Sequence, residues 1–469
     1  MTRLVGWRSL TWVGMGGVRL VGGALIIALL VCGCASSPSS PVAEDSSTIP
    51  DCAVSVPVRD LAVFAIAVST SGRVCWETAL SQPVGTHSSS GPLLSGGSAY
   101  LDSDGSVFAV RLNNGLVTWR WNSGSPPSNG GDAGGNQMLA VSSGVVVATK
   151  GQVSSWVLAG LDERTGGIRW QRPEPNQLGT GPYDSGDGKI AFTAYTGSVI
   201  EVVNDANGAL LWHRPEPALP SGHGLVAVAN LFSSVAGNLI TDNPVGGVEA
   251  VSSLTGQVRW RYPKPVNDAT VVDGLLLLEP YPGTPPAYDV ATVAVNPTTG
   301  QVLWSYPPVD PGGSIFFDAG GALIHTEIGP STGQLSRVNP QTGHNTWTVS
   351  TEAYTVAAAG PVIADVESTG NQQGTESVVG RNPTTGAVQW RSTINVAPVI
   401  HAQLLAIDGP SGQVLVLQSG QQLDAYNPGT GKLGWQLDLP ADTTVDGYAV
   451  ASGGLLVQAS RSQYQLQGH

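Results

Sequence analysis

Short apolar runs bounded by turn-forming residues fill most of this chain, and no long stretch has the 3.6-residue period of an amphipathic helix. Runs such as Val145–Thr149, Lys189–Tyr195, Leu275–Glu279 and Val414–Gln418 have the length of a strand and are mostly apolar on both faces. Such runs are typical of strands in sheets that are covered on both sides. The pattern therefore predicts an all-β protein made of packed sheets.

The stretch Asn296–Trp304, NPTTGQVLW, combines a turn signal with the start of a strand. The Asn side chain can close an Asx-turn, Pro297 fixes φ at the next position, and Gly300 can adopt a positive φ. Since side chains alternate along a strand, we expect Val302 and Trp304 to lie on the same face of the strand that follows.

This motif occurs in nine near or loose copies, each with a Gly and a Trp four residues apart. Nine of the 13 tryptophans occupy the motif position: Trp76, Trp119, Trp170, Trp212, Trp260, Trp304, Trp347, Trp390 and Trp435. An aliphatic residue stands two positions after the Gly in eight copies, and successive copies are 42–51 residues apart. A period in the forties in a β-rich sequence predicts propeller blades or a similar array.

The interval between two motifs predicts the strands of one blade. Between Trp304 and Gly343 we expect an inner strand in Gly313–Gly320, a second in Ala322–Ile328 and a third in Gln334–Asn339. The motif turn then opens the fourth and outermost strand. The same order fits every interval from the second motif to the ninth.

The two chain ends are predicted to complement each other. Before the first motif there is room for only one strand, Leu61–Ser69, whereas Tyr448–Gly453, Leu455–Ser460 and Gln463–Gln467 follow the last motif. We expect these ends to pair in one composite blade, which would close the ring and remove its open edges.

The beginning of the chain has the features of an export signal. Residues 1–33 contain three arginines, no acidic residue and the apolar run Val21–Val31, which is too short to span a bilayer comfortably. The following residues resemble a bacterial lipoprotein cleavage site, with the small Gly33 directly before Cys34. The resemblance implies that Cys34 is lipidated, and two acyl chains anchor stably to a membrane. An uncleaved membrane anchor is the alternative.

Residues 34–50 are rich in Ser and Pro, and we interpret them as a flexible tether before the domain at 51–469. Cys52 and Cys75 are the only other cysteines of the exported chain. In an exported protein one remaining pair most simply forms a disulfide, with two unpaired buried thiols as the alternative. A disulfide next to Trp76 would hold the N-terminal segment on the rim of the domain.

Charge argues against two classes of partner. Without the leader, 18 basic residues face 34 acidic ones, which gives a net charge of −16. Nucleic acids and anionic lipid surfaces both attract positive charge, so we expect neither to be bound electrostatically.

Candidate chemistry is sparse. The seven His residues are scattered over different repeats without metal-ligand spacing, and no paired-carboxylate, nucleophile-elbow or phosphate-loop signature occurs. Asp102–Gly105 has the start of a calcium loop, but Asn113 stands where the loop needs Glu. We therefore predict no catalytic, cofactor or metal site.

The pattern A-x-N-P-x-T-G-x-x-x-W resembles the repeat of the PQQ-like, or quinoprotein-type, β-propellers, over about residues 51–467. Eight blades are the commoner number in that superfamily, so the resemblance implies eight, with one terminal hairpin as an addition, whereas the motif count gives nine. The lipoprotein signal, tether and length are similar to the BamB-type lipoproteins. That resemblance implies a non-enzymatic binding scaffold outside the cytoplasmic membrane.

The enzymes of this superfamily, quinone-dependent alcohol and glucose dehydrogenases, provide the alternative function. The alcohol dehydrogenases typically have a vicinal Cys-Cys disulfide over the quinone, calcium ligands and a catalytic Asp. Here the two cysteines of the domain are 23 residues apart, so that disulfide is missing. A shared fold alone does not transfer the activity.

Long irregular segments fall mainly in two kinds of loop that share one face of a propeller, those after the second and after the fourth strand. These segments are Asn122–Gln137, Arg172–Pro182, Arg214–Gly222, Tyr262–Asp268, Glu279–Asp289 and Glu367–Thr375. Several contain prolines, which lower the entropic cost of ordering a loop on binding. We predict a protein or envelope-polymer partner on this face; loops that drift without function are the alternative.

Overall fold

The computed structural model describes residues 48–461 with internal gaps. The residues outside this description are 1–47, 60, 62, 82–90, 104–105, 123–139, 153–154, 175–182, 187, 195–198, 216–230, 244–246, 265, 281–290, 307–313, 319–322, 328–332, 352, 360–361, 369–374, 396–402, 407–411, 419–421, 441–442 and 462–469. Cys34, the lipoprotein signal and the predicted strand Gln463–Gln467 therefore lie outside the described residues. No helix in the described part of the chain is long and apolar enough to cross a membrane.

All regular structure in the described residues is antiparallel β-sheet, arranged as nine four-stranded sheets, which we call blades 1–9. Blade 1 is composite, in the order β2-β1-β36-β35, and consists of β1 Val63–Ser69, β2 Val74–Ser81, β35 Thr443–Ala451 and β36 Gly454–Arg461. Blades 2–5 are β3 Leu93–Ser95, β4 Ser98–Ser103, β5 Ser106–Arg111, β6 Val117–Asn122; β7 Ala140–Ser142, β8 Val145–Gln152, β9 Ser155–Asp162, β10 Ile168–Glu174; β11 Tyr183–Gly186, β12 Lys189–Ala194, β13 Val199–Asn204, β14 Leu210–Pro215; and β15 Leu231–Val235, β16 Asn238–Asn243, β17 Gly247–Ser252, β18 Val258–Tyr262. Blades 6–9 are β19 Val266–Val272, β20 Leu275–Pro280, β21 Thr292–Val295, β22 Val302–Tyr306; β23 Ser314–Asp318, β24 Leu323–Glu327, β25 Gly333–Val338, β26 Asn345–Thr351; β27 Ala353–Ala359, β28 Val362–Ser368, β29 Thr375–Arg381, β30 Val388–Asn395; and β31 Gln403–Ala406, β32 Val414–Gln418, β33 Gln422–Tyr426, β34 Leu433–Asp438.

The described residues form nine blades, so the number expected from the superfamily, eight, is wrong and the motif count is correct. Neither terminal hairpin is an addition, because each supplies half of blade 1. β1 pairs with β36 along its whole length, from Val63 opposite Ser460 to Ser69 opposite Gly454. The strands at one edge of the sheets, such as β15 and β19 or β27 and β31, contact one another in most neighbouring blades, which places them innermost and the motif strands outermost.

The motif turn folds as its residues predict. In the copy that begins at Asn296, the Oδ1 atom of Asn296 accepts hydrogen bonds from the backbone N–H groups of Thr298 and Thr299. Gly300 has a φ of 73°, which L-residues with a side chain rarely adopt.

The prediction that Val302 and Trp304 share a face is wrong. Trp304 lies opposite Ala294 and Val302 lies opposite the next residue, Val295, so the motif strand contains a β-bulge at Leu303. The extra residue breaks the alternation of side chains. As a result Trp304 is buried, whereas Val302 is exposed.

Each motif Trp connects its own blade to the motif turn of the next blade. The Nε1–H of Trp304, for example, donates to the carbonyl oxygen of Pro340 at 2.7 Å, and its ring covers Gly343. The other motif tryptophans donate in the same way: Trp76 to Leu112, Trp119 to Glu163, Trp170 to Asp205, Trp212 to Ser253, Trp260 to Pro297, Trp347 to Pro383, Trp390 to Pro428 and Trp435 to Thr70. The last of these contacts joins blade 9 to blade 1.

Hydrophobic clusters lie between successive blades and form the core. Leu415 and Leu423 of blade 9, for example, pack with Phe64 and Leu455 of blade 1. A domain of this size thus has several small cores in place of one large core.

The N-terminal segment 52–59, which we call the covering segment, lies along the outer edge of β2. Cys52 and Cys75 form a disulfide, with their Cα atoms 5.3 Å apart. The N–H of Val56 donates to the carbonyl oxygen of Val74 at 2.7 Å, and the N–H of Val74 donates to the hydroxyl of Ser55. Just before this segment, at the end of the predicted tether, Ile49 is buried and donates to the carbonyl oxygen of Ser452.

Candidate functional site

The long segments singled out in the sequence leave the blades at one edge. All six begin within the last three residues of a second or fourth strand. The prediction that Tyr262–Asp268 is a long irregular segment is wrong, because β19 begins at Val266 and only three residues separate it from β18. Since the second and fourth strands of an antiparallel blade run in the same direction, these ends lie on the same side, which we call the long-loop face. Most residues of the segments lie outside the described part of the chain, whereas the strand ends that support them lie within it.

A layer of buried polar side chains lies close to this face. It is formed by side chains from the middle to the carboxyl end of the second strands, whose other residues are mostly apolar: Asp102, Ser103, Thr149, Thr193, Thr241, His325, Asp365, Glu367, Gln418, Gln458, Ser460 and Arg461. This layer was not predicted from the sequence. The sequence did contain a signal for it, namely a polar residue in an otherwise apolar run. Such a residue is buried with the strand, and a buried polar group requires a hydrogen-bond partner.

Two arginines near the long-loop face connect neighbouring blades. Arg172 and Arg214 each follow a motif Trp by two residues, and each forms an ion pair with a Glu on the third strand of the next blade. Arg172 pairs with Glu201, and Arg214 pairs with Glu249. These pairs fix the strand ends from which the segments 172–182 and 214–222 start.

Glu174 is the last residue of β10 and is buried. Its carboxylate lies 2.8 Å from the Nε atom of Arg172, which also binds Glu201. Burial, and then the negative charge of Glu201, raise the pKa of Glu174 to about 7, although Arg172 acts in the opposite direction. One cation is thus shared by two carboxylates, and Glu174 can hold a proton near neutral pH.

A denser ion-pair network lies at the end of β28. The buried Arg381 contacts both Asp365 and Glu367, and Arg391 also contacts Glu367. The hydroxyl of Thr351, from blade 7, donates to Glu367 at 3.0 Å and so connects this network to the neighbouring blade. Two cations balance two anions here, which is what burial of charge requires.

Blade 7 contributes an aromatic contact to the same layer. The rings of His325 and Tyr306 are 4.5 Å apart, and the hydroxyl of Tyr306 donates to Asn345 at 2.9 Å. Burial lowers the pKa of His325 to about 4, so the imidazole is neutral at physiological pH.

The structure places the residues predicted from the sequence in two separate regions. The nine motif tryptophans lie between blades, near the turns opposite the long-loop face, and the Cys52–Cys75 disulfide lies on the outer edge of blade 1. A cavity of about 440 Å³ lies next to the covering segment, between Val56, Leu437, Leu439 and Arg461. Among the described residues, no three His, Cys, Asp or Glu side chains are grouped so that they could hold a metal ion.

Four-stranded blades, a Gly-x3-Trp motif in every blade and tryptophans bonded to the turn of the next blade define a PQQ-like β-propeller. The chain belongs to the family described as outer membrane protein assembly factor BamB, whose model matches residues 58–262 and 289–466.

Solved structures of two kinds are similar to the chain. BamB from Moraxella catarrhalis is 16% identical, with a TM-score of 0.40, over 77% of this chain and 93% of that one. Quinohemoprotein alcohol dehydrogenase from Comamonas testosteroni is 14% identical, with a TM-score of 0.38, over 69% of this chain and 73% of that one. A europium-containing methanol dehydrogenase is 13% identical, with a TM-score of 0.41, over 81% and 92%. No curated protein matches the sequence.

Proposed function

We propose that this protein is a lipid-anchored, extracytoplasmic scaffold that binds a protein or an envelope polymer through its long-loop face and catalyses no reaction. The observation that carries the proposal is that the long segments leave one face from strand ends held by buried ion pairs, such as Arg214 with Glu249. Loops on a rigid base are well suited to binding, because little of the base must be ordered when the partner arrives.

The family name supports the location and the kind of partner. A relative described as an outer membrane protein assembly factor acts in the cell envelope, and assembly requires contact with other proteins. The leader with Cys34 and the net charge of −16 fit an exported protein that does not use nucleic acid as its partner.

We also infer that the nine blades form one closed ring. Trp435 of blade 9 donates to Thr70 of blade 1 in the same way as every other motif Trp donates to the next blade. Closure would leave no blade without a neighbour on either side.

Loop shortening tests the binding proposal. Shortening Asn122–Gln137 and Glu279–Asp289 should abolish crosslinking to the partner in intact cells and leave the melting temperature unchanged, because surface loops generally tolerate changes of length. As the matched control, removing two residues from the turn Pro297–Thr299 should unfold the protein, because Trp260 is bonded to this turn. A shortened, folded protein that retains every crosslinked partner would move the binding surface elsewhere.

Anchoring is tested separately at Cys34. The Cys34→Ala protein should be released from membranes or accumulate as an unprocessed precursor. If it were processed and still membrane-bound, the lipoprotein assignment would be wrong.

The alternative, a quinone-dependent oxidoreductase, predicts a different result. The purified protein would then develop visible absorbance when PQQ and Ca²⁺ are added, and it would reduce a dye in the presence of alcohols or sugars. We expect neither change, and saturable turnover would overturn the scaffold proposal.

A further inference from the structure

Exposed aliphatic side chains are concentrated at one end of the blades. Outside the covering segment, the described residues include nine large hydrophobic side chains that are 42–65% exposed, and all nine lie within three residues of a motif Gly. They come from seven of the nine blades: Leu116, Ile168, Leu210, Leu211, Leu254, Val302, Leu303, Val388 and Leu433. Since the motif turn joins the third strand of a blade to the fourth, these side chains lie next to the face opposite the long-loop face, which we call the motif-turn face.

Five of the nine side chains belong to the successive blades 4–6. Leu210–Leu211 begin β14, Val302–Leu303 begin or follow the beginning of β22, and Leu254 lies in the motif turn of blade 5. Blade 7 differs, because the polar Asn345 and Thr346 stand at the positions equivalent to Val302 and Leu303. Exposed apolar side chains that are grouped on one surface mark a site of contact with another molecule or with a membrane.

The charge of this face differs from that of the rest of the chain. From four residues before each motif Gly to three residues after it, the nine motifs together contain six basic and three acidic residues. The turns between first and second strands, which lie on the same face, add one basic and four acidic residues, so the face has seven of each. The net charge of −16 of the exported chain therefore lies elsewhere, and this neutral face is the one that anionic lipid headgroups repel least.

The exported chain enters the domain at the same face. Thr48 forms a parallel bridge with Ser452, and the buried Ile49 donates to the carbonyl oxygen of Ser452 at 2.8 Å. Ser452 lies in the turn between β35 and β36, the first and second strands of blade 1. Thirteen residues separate Cys34 from Thr48 in the sequence, and a chain of that length spans at most about 50 Å. A lipid on Cys34 would therefore hold the domain near a bilayer from its motif-turn face.

We propose that the motif-turn face lies against the lipid bilayer, with the aliphatic side chains of blades 4–6 in the interfacial region, and that the long-loop face points away from the membrane. The proposal rests on the lipid anchor at Cys34 proposed above. Blade 5 is four blades from blade 1 in one direction and five in the other, so the anchor and the apolar side chains are two separate points of contact. The anchor raises the local concentration of the face at the membrane, so weak apolar contacts suffice to fix its orientation.

Lipid photolabelling tests this orientation. The exported chain, residues 34–469, is coupled through Cys34 to a maleimide phospholipid in phosphatidylcholine vesicles that also contain a lipid with a diazirine in its acyl chain. The Cys52–Cys75 disulfide leaves Cys34 as the only free thiol of this chain. After irradiation and digestion, mass spectrometry measures the lipid adducts at each residue, and the uncoupled Cys34→Ser chain gives the background.

The comparison is between exposed residues at the two ends of the motif strands. We expect at least fivefold more adducts at Leu210–Leu211 and Val302–Leu303 than at Asn122 and Ser350, which are exposed residues at or next to the carboxyl ends of β6 and β26. Since the contact is apolar, raising the salt concentration should not reduce the adducts at the motif-turn face.

Blade 7 provides the matched substitution, because its motif strand folds with polar residues at the two positions. The polar variant copies Asn345 and Thr346 onto blades 4 and 6: Leu210→Asn, Leu211→Thr, Val302→Asn and Leu303→Thr. We expect at least fivefold fewer adducts at these positions and at the unmodified Leu254, with the coupling yield and the melting temperature unchanged. Should the polar variant melt early, the two substitutions on β22 alone provide the same comparison.

Equal adduct yields at the two ends of the motif strands would overturn the proposal. Adducts that the polar variant retains would also overturn it, because the anchor alone would then explain the proximity to lipid. A dimer of the uncoupled chain that the polar variant dissociates in sedimentation would assign the surface to a second copy, whereas we expect a monomer. Because Cys34 is coupled chemically, the result does not depend on whether cells lipidate it, and the membrane release of Cys34→Ala tests that separately.

Discussion

The contact between a motif Trp and the next motif Gly can be tested from the Gly side. Gly343 has a φ of 72°, and a Cβ atom added to it would lie 2.7 Å from Cδ2 of Trp304. Gly237 has the same φ of 72°, but a Cβ atom added there would meet nothing within 4 Å. The pair Gly343→Ala and Gly237→Ala therefore separates the cost of the backbone conformation from the cost of displacing the Trp.

The expected magnitudes follow from these distances. A left-handed conformation costs an Ala about 1–2 kcal/mol, and both variants have this cost. Gly343→Ala must also displace the buried ring, and such overpacking typically costs about 1–3 kcal/mol more. We therefore expect losses in the free energy of unfolding of about 1–2 kcal/mol for Gly237→Ala and about 2–5 kcal/mol for Gly343→Ala.

Denaturant unfolding of the full chain measures both losses, and the Trp304→Ala background adds an internal check. Trp304→Ala alone should cost about 3–5 kcal/mol, because it removes a buried ring. In that background, Gly343→Ala should cost no more than Gly237→Ala, since the overlap is gone. Equal costs in the unmodified protein, or strictly additive costs in the double variant, would refute the role that we assign to the contact.

Three further predictions concern charge and the disulfide. Burial lowers the pKa of His325 to about 4, so the unfolded chain takes up a proton at this residue first as the pH falls. The contribution of His325 to the free energy of unfolding should therefore fall by up to about 3 kcal/mol between pH 6.5 and pH 4, measured as the difference between the wild type and His325→Phe in pH-resolved denaturation. The pKa of Glu174 is raised to about 7, so its effect on the free energy of unfolding changes with pH in the opposite direction. The stabilising contribution of protonated Glu174 is present below pH 4.5 and is lost as the pH rises to 7. Glu174→Gln should therefore be more stable than the wild type at pH 8, and a wild type of equal or greater stability there would contradict this. Reduction of the disulfide, or Cys52→Ser, should lower stability by about 3 kcal/mol in the chain-entropy model; an unchanged denaturation midpoint under reducing conditions would show that the bridge contributes nothing.

The repeat explains why much of the fold could be predicted from the sequence. The NPTTG turn and the Trp that follows recur because the same contact is made at every blade boundary, so the count of motifs equals the count of blades. The apolar runs that mark strands, such as Val414–Gln418, coincide with the observed β32. These features are local, and each can be identified within about ten residues.

The features that could not be predicted depend on residues far apart in the chain. The bulge that separates Val302 from Trp304 depends on pairing with the preceding strand, which the alternation rule assumes to be regular. The ion pair between Arg214 and Glu249 joins two blades, and neither residue stands out in its own segment. A polar side chain at the end of an apolar run gives no indication of which distant partner satisfies it.

The composite blade imposes an order on biogenesis. The first strands to emerge from the ribosome, β1 and β2, complete their sheet only when β35 and β36 have been synthesised. The hydrogen bond between Trp435 and Thr70 spans 365 residues, and contacts between such distant residues form slowly because a very large loop must close first. Blade 1 therefore stays incomplete until the carboxyl end of the chain has been synthesised. The same dependence makes β1 and β2 sensitive to any truncation at the opposite end of the chain.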